Sequence, residues 1–481
     1  MEIRMTQGDS SGVINKKCPY CFREITNTDA GFLIRSSGLR FQSPALNNLA
    51  SERQDREYVA FWSAMGIPEE QIDGRRIVVD NAMISELNRE LSAARRDLAV
   101  KNYDPQSGGY SFQVDEGAVS LFSNTMVCPC CHNVLPQNFF RYDMMMIGMA
   151  GSVASGKTVY LSSLLMNGFE MLQRENLSVR NAFGNPNDDY KLEMERNADR
   201  LLHWGICPES TSKTFKKPLF LEINYRLEDK EFGMLAAIYD VAGELIREAT
   251  GSGTTGFVRH MDGFICLIDP AQMHLSHSVI TMRIPDEGRI LDQLHLMSLP
   301  EQIAIQKTSN ENGKMVMDQM DYMAGEGGGE GLISERKADI VLEAIRSTLG
   351  DGKLRQKYMA LTIAKSDLLE ELQEIREFRG SELLFQRDQI RYGFMDTDLH
   401  FLRQTVLRQI FDQKVYRLQK ALDDYKYSSL FAVSALGCET AVKTEGGEKV
   451  VKAVSKVRPI RVEEPLLWMI MKFMQERGWL S

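Results

Sequence analysis

The chain has 481 residues, of which 43% are hydrophobic, and a formal net charge of −9. That length and apolar content suit a globular protein with a prior of about three domains. The acidic balance argues against an extended nucleic-acid-binding surface. No stretch offers the ~20 apolar residues of a membrane span. The opening MEIRMTQGDSSG lacks the apolar core of a secretory signal, so a cytoplasmic protein is expected.

Eight cysteines are present, and five fall in two tight clusters: Cys18-Pro19-Tyr20-Cys21 and Cys128-Pro129-Cys130-Cys131-His132. In a cytosolic chain such clusters point to metal rather than disulfides. Two C-P-x-C knuckles can supply four thiolates to one tetrahedral Zn²⁺, as in a zinc ribbon. The expected ligands are Cys18, Cys21, Cys128 and Cys131, with Cys130 and His132 as possible substitutes. Residues 22–127 separate the two knuckles, so a single site requires a large insertion within the ribbon. Two separate sites are the alternative. Within that insertion Arg53 to Met65 and Asn81 to Val100 have helical patterning, 107–109 marks a turn and Tyr110 to Val114 alternates like a strand. No chemistry attaches to the insertion (about 26–124). A structural or partner-contact role is expected.

A second signal follows at Gly151-Ser152-Val153-Ala154-Ser155-Gly156-Lys157-Thr158, which reads G-x-x-x-x-G-K-T. The apolar segment DMMMIGMA, from Asp143, precedes it, and Leu161, Leu164, Leu165, Phe169 and Leu172 follow at helical spacing. Strand, glycine turn and helix are the context that a phosphate-binding loop requires. Glycines let backbone N–H groups face a polyphosphate, and the helix N-terminus adds positive potential. Lys157 can place its charge on the terminal phosphates, and Thr158 can bind Mg²⁺ through its hydroxyl.

Arg180 to Asp189 is polar and turn-rich, and a helix is expected from Asp189 to Trp204. A flexible segment, 208–214, precedes strands at Pro218 to Tyr225 and Phe232 to Tyr239. The second strand runs into Asp240-Val241-Ala242-Gly243-Glu244. An aspartate there can hold Mg²⁺ through water, and Gly243 can offer its N–H to a terminal phosphate. A further apolar strand spans Gly263 to Pro270, and a helix pattern lies around Ile290 to Leu299. The glycine-rich stretch at about 307–335 reads as a loop insertion. Beyond it come a helix from Lys337 to Leu349, a strand from Tyr358 to Ala364 leading into Lys365-Ser366-Asp367, and helical segments to about Tyr425. The last sheet strand, Ser429 to Val433, ends in Ser434-Ala435-Leu436-Gly437. A polar stretch then precedes an apolar helix around Leu466 to Phe473.

GSVASGKT, DVAGE, AKSD and SAL stand in the order of GTPase motifs, each at the end of an expected strand. With the C-P-x-C pairs, GKTVYL and the closing VEEPLLW, the chain resembles a bacterial TRAFAC-class GTPase of the Double-GTPase group, type 2, from about Asp143 to Ser481. The resemblance implies that Asp367 reads guanine, that Lys365 packs on the base plane, and that the Ser434–Ala435–Leu436 loop supplies a backbone N–H to the base. It implies a switch threonine before the strand at Pro218, Thr214 or else Thr211, joining Thr158 and Asp240 around Mg²⁺. Glu244 occupies the place of a water-positioning Gln, and Ala364 that of the Asn or Thr before the lysine, so slow hydrolysis and weakened guanine selectivity are expected. The resemblance further implies a role in bacterial conflict or antiviral defence beside a second GTPase-like or effector protein.

The expected fold is therefore α/β: a P-loop GTPase-like mixed sheet with helices on both faces at 143–481, preceded at 1–142 by a small zinc-ribbon domain carrying an insertion. The expected function is a GTP/GDP-binding switch with Mg²⁺ and Zn²⁺. A hydrolysis-silent scaffold and an ATP-using P-loop NTPase are the competing readings.

Overall fold

The structure is a computed structural model that describes residues 12–35, 41–94, 98–117, 119–151, 155–166, 176–184, 189–208, 216–240, 258–269, 335–371, 380–386, 395–414, 422–445 and 448–480. The expected helix near Ile290 to Leu299 and the 307–335 insertion lie outside these residues. Two compact units are present. The first comprises Met1–Met146, Ser178–Lys191 and Thr214–Tyr239; the second comprises Ile147–Leu177, Leu192–Lys213 and Asp240–Ser481.

In the first unit β1 (Asn15–Lys17) pairs antiparallel with β2 (Glu24–Thr26), with Asn15 opposite Thr26. β3 (Gly31–Ile34), β4 (Arg53–Gln54), β5 (Arg75–Val79) and β9 (Met126–Val127) form a four-stranded sheet of order β4-β5-β3-β9. β6 (Val100–Asp104), β7 (Gly109–Glu116) and β8 (Val119–Ser123) form a separate meander. Three helices accompany them: α1 (Pro44–Leu49), α2 (Arg56–Ala64) and α3 (Asn81–Ala93). Asp55 caps α2 by accepting from Tyr58 N at 3.1 Å, and Asp80 caps α3 by accepting from Met83 N at 2.7 Å. The Asp55 cap explains why the expected helix from Arg53 begins later, and the pattern from Asn81 to Val100 divides into α3 and β6. Phe32 and Phe112 meet at 5.9 Å in the apolar core, where Val79, Leu87 and Leu91 are also buried.

The chain then enters a seven-stranded mixed sheet of order β11-β12-β13-β10-β14-β15-β16. Its strands are β10 (Asp143–Gly151), β11 (Leu177–Asn181), β12 (Leu219–Leu227), β13 (Lys230–Asp240), β14 (Gly263–Ile268), β15 (Tyr358–Ile363) and β16 (Tyr427–Ala432). β11 falls partly where a polar turn region was expected; as a short edge strand it alternates buried and exposed residues. β12 and β13 form an antiparallel hairpin, Leu227 opposite Lys230. By contrast, β10, β14, β15 and β16 run parallel, and every residue of β14 and β15 is buried. Strands hidden on both faces read as continuous apolar runs, as FICLI and MALTI do.

The longer helices among the described residues from Lys157 onward are α4 (Lys157–Met166), α5 (Asp189–Trp204), α6 (Glu335–Leu349), α7 (Thr397–Lys414) and α8 (Glu464–Glu476). α8 is apolar nearly all round, and nine of its residues are buried; Trp468 meets Phe431 edge-on at 5.8 Å. Such a helix belongs in a core. Among the described residues no helix is long and apolar enough to cross a membrane. The polar stretch before α8 forms a hairpin, β17 (Thr440–Glu445) with β18 (Glu448–Ala453).

His400 on α7 stacks on Phe431 at 5.0 Å, with Nε2 at 2.8 Å from Ser429 Oγ. Burial, reinforced by Arg403, Lys472 and Arg461, pulls it from 6.5 down to about 4. A depressed histidine is neutral in the folded protein while the unfolded chain binds a proton. Stability is thus complete above the unfolded value and is lost as pH falls through the folded one. Denaturant unfolding should show wild type losing on the order of 3 kcal/mol between pH 6.5 and 4 relative to His400→Gln, whose pH profile should be flatter by that amount. Parallel pH profiles would remove this role from His400.

Candidate functional site

The structure brings Cys18, Cys21, Cys128 and Cys131 together, their sulfurs all within 4.8 Å of one another. Cys18 Sγ lies 3.9 Å from Cys131 Sγ, and Cys21 Sγ 3.8 Å from Cys128 Sγ. A tetrahedral zinc centre with Zn–S bonds near 2.3 Å sets its sulfurs ~3.8 Å apart, so the spacing is compatible with zinc.

The two knuckles repeat one backbone design. Cys18 N donates to Arg23 O and Phe22 N to Cys18 O; Cys128 N donates to Asn133 O and His132 N to Cys128 O. Phe22 and His132, the equivalent turn residues, have φ of 57° and 52°. In each knuckle the N–H two residues on points at the first sulfur: Tyr20 N at 3.4 Å from Cys18 Sγ, and Cys130 N at 3.4 Å from Cys128 Sγ. N–H donors of this kind stabilise negative sulfur. Burial pushes the Cys18 thiol far up, whereas Cys21, accepting from Cys128, Cys131 and Cys18, is pulled far below the usual thiol range. A bound dication would supply the charge that lets all four ionise together.

Cys130 and His132 stand outside this cluster. His132 Nδ1 lies 2.8 Å from Asp55 Oδ1, and Arg76 bridges them, with Nε 3.4 Å from Asp55 and Nη2 donating to His132 O at 2.9 Å. Trp62 Nε1 donates to Asn133 Oδ1 at 3.0 Å. Thus α2 and β5, inside the insertion, brace the second knuckle. From the other side, the Tyr239 hydroxyl donates to Pro19 O at 2.6 Å, and its ring lies 6.2 Å from Phe22. Tyr239 immediately precedes Asp240, and nothing in the sequence marks it.

The second group of candidate residues lies in the other unit. β10 pairs Gly151 with Leu267, β14 pairs Ile268 with Ile363, and β15 pairs Ile363 with Ala432. In-register parallel strands place their C-terminal ends along one edge, where open α/β sheets bind ligands. That edge carries the glycine loop, Asp269, Lys365, Asp367 and Ser434. Gly151 has φ 152°, and a Cβ there would fall 2.6 Å from Ser155 Oγ and 2.7 Å from Leu267 O; Gly156 has φ 85°. Only glycine tolerates either position. Lys157 Nζ donates to Gly151 O at 2.9 Å. Ser155, Lys157 and Thr158 are buried, as is Asp240 at the end of β13.

Lys365 has φ 52° and Nζ 2.6 Å from Asp269 Oδ2. Ser366 N donates to Val433 O at 2.9 Å, and Asp367 lies in the first turn of the short 3₁₀ helix Ser366–Glu371. Ser434 exchanges both backbone hydrogen bonds with Ile460, and its hydroxyl accepts from Gly437 N at 2.8 Å. Gly437 is required, since a Cβ would fall 1.9 Å from Arg458 O. Ala435 and Leu436 complete this turn, half-buried. Arg461 is fully buried and donates to Leu383 O, Leu384 O and Ala432 O at 2.6–2.7 Å. The Tyr160 hydroxyl on α4 donates to Val462 O at 2.6 Å. The strap at 460–462 therefore ties the loop after β16 to the helix after the glycine loop. Ser152, Val153, Ala154, Thr211, Thr214, Gly243 and Glu244 lie outside the described residues.

No family model matches the chain, and no curated protein matches it. A solved structure described as sup35 complexed with GDP is similar with a TM-score of 0.16 and 12% identity, over 62% of this chain and 38% of that one. A similarity of that size carries no weight for function. The elements define an α/β protein with a seven-stranded mixed sheet, together with a zinc-ribbon-like cluster of four cysteines near the N-terminus.

Purified protein should contain one Zn²⁺ per chain by elemental analysis. Cys18→Ser should lose it and expose the first unit to proteolysis, because a structural site can contribute ~10 kcal/mol to local folding. Zinc-free protein from zinc-replete growth would refute this assignment.

Proposed function

We propose that this protein is a GTP-binding switch that hydrolyses GTP slowly and carries structural zinc. What supports the reading is the convergence of the glycine loop, the Lys365–Asp367 turn and the Ser434 turn at one edge of the parallel strands. In this reading backbone N–H groups of 151–156 cradle the phosphates, with Lys157 on the terminal ones. Thr158, Asp240 and Thr214 would hold Mg²⁺, which neutralises charge on the transferred phosphoryl group. Gly243 would offer its N–H to the terminal phosphate. Asp367, an acceptor-only carboxylate, would take both donors of the guanine edge, and adenine offers no such pair. Lys365 would lie against the base plane, and the Ala435 N–H would meet the base oxygen.

The presence of the terminal phosphate would order the segments around Thr214 and after Asp240, and its loss would release them. Glu244 in place of a water-positioning Gln favours slow turnover, and a hydrolysis-silent scaffold is its limiting case. The defence role, and a second GTPase-like or effector partner, rest on the motif resemblance alone.

Calorimetry with Mg²⁺ should show GTP preferred over ATP. Lys157→Ala should weaken GTP binding by at least about tenfold, the value of a charge-assisted hydrogen bond, without unfolding the protein. Asp367→Asn should shift preference towards XTP, because the amide supplies a donor to the extra carbonyl of xanthine. Equal affinity for ATP and GTP in the wild type would make this an NTPase of another kind. Single-turnover hydrolysis separates the switch from the scaffold.

A further inference from the structure

We infer that Asp269 is a positioning residue for base recognition: it fixes Lys365 so that the lysine stem forms the platform for the purine ring. This inference rests on the nucleotide-binding reading above and adds a residue to it.

Geometry comes first. Asp269 and Ala364 follow directly on Ile268 and Ile363, which pair across β14 and β15, and Ala364 N donates to Ile268 O at 2.8 Å. Asp269 therefore faces the lysine turn from the neighbouring strand, with Oδ2 2.6 Å from Lys365 Nζ. Exposure divides the pair unequally. The Asp269 side chain is 1% exposed and that of Lys365 is 30% exposed. The carboxylate is thus fixed inside, while part of the lysine faces outward at the sheet edge.

Energetics make a purely structural role a poor explanation. Burying a carboxylate is costly, and a buried ion pair is often no better than apolar residues of the same volume. Lys365 is also held in the left-handed region, at φ 52°. For a residue with a Cβ this is uncommon, and such strain persists where surrounding bonds over-determine it. Here Ser366 N to Val433 O at 2.9 Å and Leu368 N to Lys365 O at 3.0 Å do so.

The local sequence explains why a neighbouring strand is used. Ala364, immediately before the lysine, has no side-chain donor or acceptor to steady the turn. Asp269 supplies the missing polar anchor from β14. With its ammonium bound there, the lysine presents methylenes, which pack on a π-face without placing a hydrated cation beneath it.

A double-mutant cycle tests this by titration with GTP, ATP and inorganic tripolyphosphate in the full chain. Asp269→Asn should lower GTP affinity about tenfold and shrink the GTP/ATP ratio, because a neutral amide no longer holds the ammonium. Tripolyphosphate reports the phosphate loop without the base, and its affinity should change by less than about twofold. In the Lys365→Met background the same aspartate substitution should change GTP affinity by less than about twofold, since the group it positions is gone. Should Asp269→Asn fail to fold, Asp269→Leu with Lys365→Met, an apolar replacement of the whole pair, should fold and match Lys365→Met alone in GTP affinity. Wild-type affinity in Asp269→Asn, equal losses in both backgrounds, or parallel loss of tripolyphosphate binding would overturn the inference while leaving the GTP site standing. Absence of GTP binding by the wild type would overturn both.

Discussion

The parallel ladder from β10 through β14 and β15 to β16 is the constraint on which the candidate site depends. Its register aligns Gly151, Leu267, Ile363 and Ala432 within a residue or so of one another. A one-residue slip would turn every side chain of a strand to the opposite face. Because β14 and β15 are wholly buried, such a slip is strongly resisted. The loops that follow can then carry chemistry in short turns, because the strand ends already stand side by side. Lys365, Gly437 and Gly151 all adopt backbone conformations outside the common regions, Gly151 as the last residue of its strand and the other two in the turns that follow theirs.

Around this ladder the supporting contacts differ in kind. The glycine loop depends on the absence of side chains, since Gly151 stands against Ser155 and Leu267. The turn after β16 depends on hydrogen bonds, with Ile460 paired to Ser434 and Arg461 capping carbonyls from two other segments. Burial holds Arg461 at about 10, still cationic at neutral pH. Its five donors suit several carbonyls converging on one point, which a lysine could not serve with the same geometry.

How much of this was legible in the sequence follows from the range of each interaction. The glycine loop and the knuckles are local patterns, and their residue types follow from backbone conformation or ligand chemistry. The buried strands were legible because a strand covered on both faces is apolar at nearly every position. β11, β17 and β18 were not, because edge strands and hairpins of alternating or polar composition look like loops. Asp269 was visible only as the end of an apolar strand, and its pairing with Lys365 depends on a register between segments about a hundred positions apart. His132 looked like a ligand because imidazole often is one; Asp55, 77 positions earlier, claims its Nδ1 instead.

The insertion between the knuckles leaves the ribbon and returns to it through neighbouring strands, since β3 and β9 pair directly, with Phe32 opposite Met126. Its ends are therefore held together by their own pairing, and β3 is held on its other edge by β5 from within the insertion. Closing a longer loop across such a gate costs only ~0.6 kcal/mol for each doubling of its length. The segment between β3 and β9 is thus a place where the chain can gain or lose whole elements while the four sulfurs keep their spacing. The bonds that would have to be kept through such change are those from Asp55, Trp62 and Arg76 to the second knuckle.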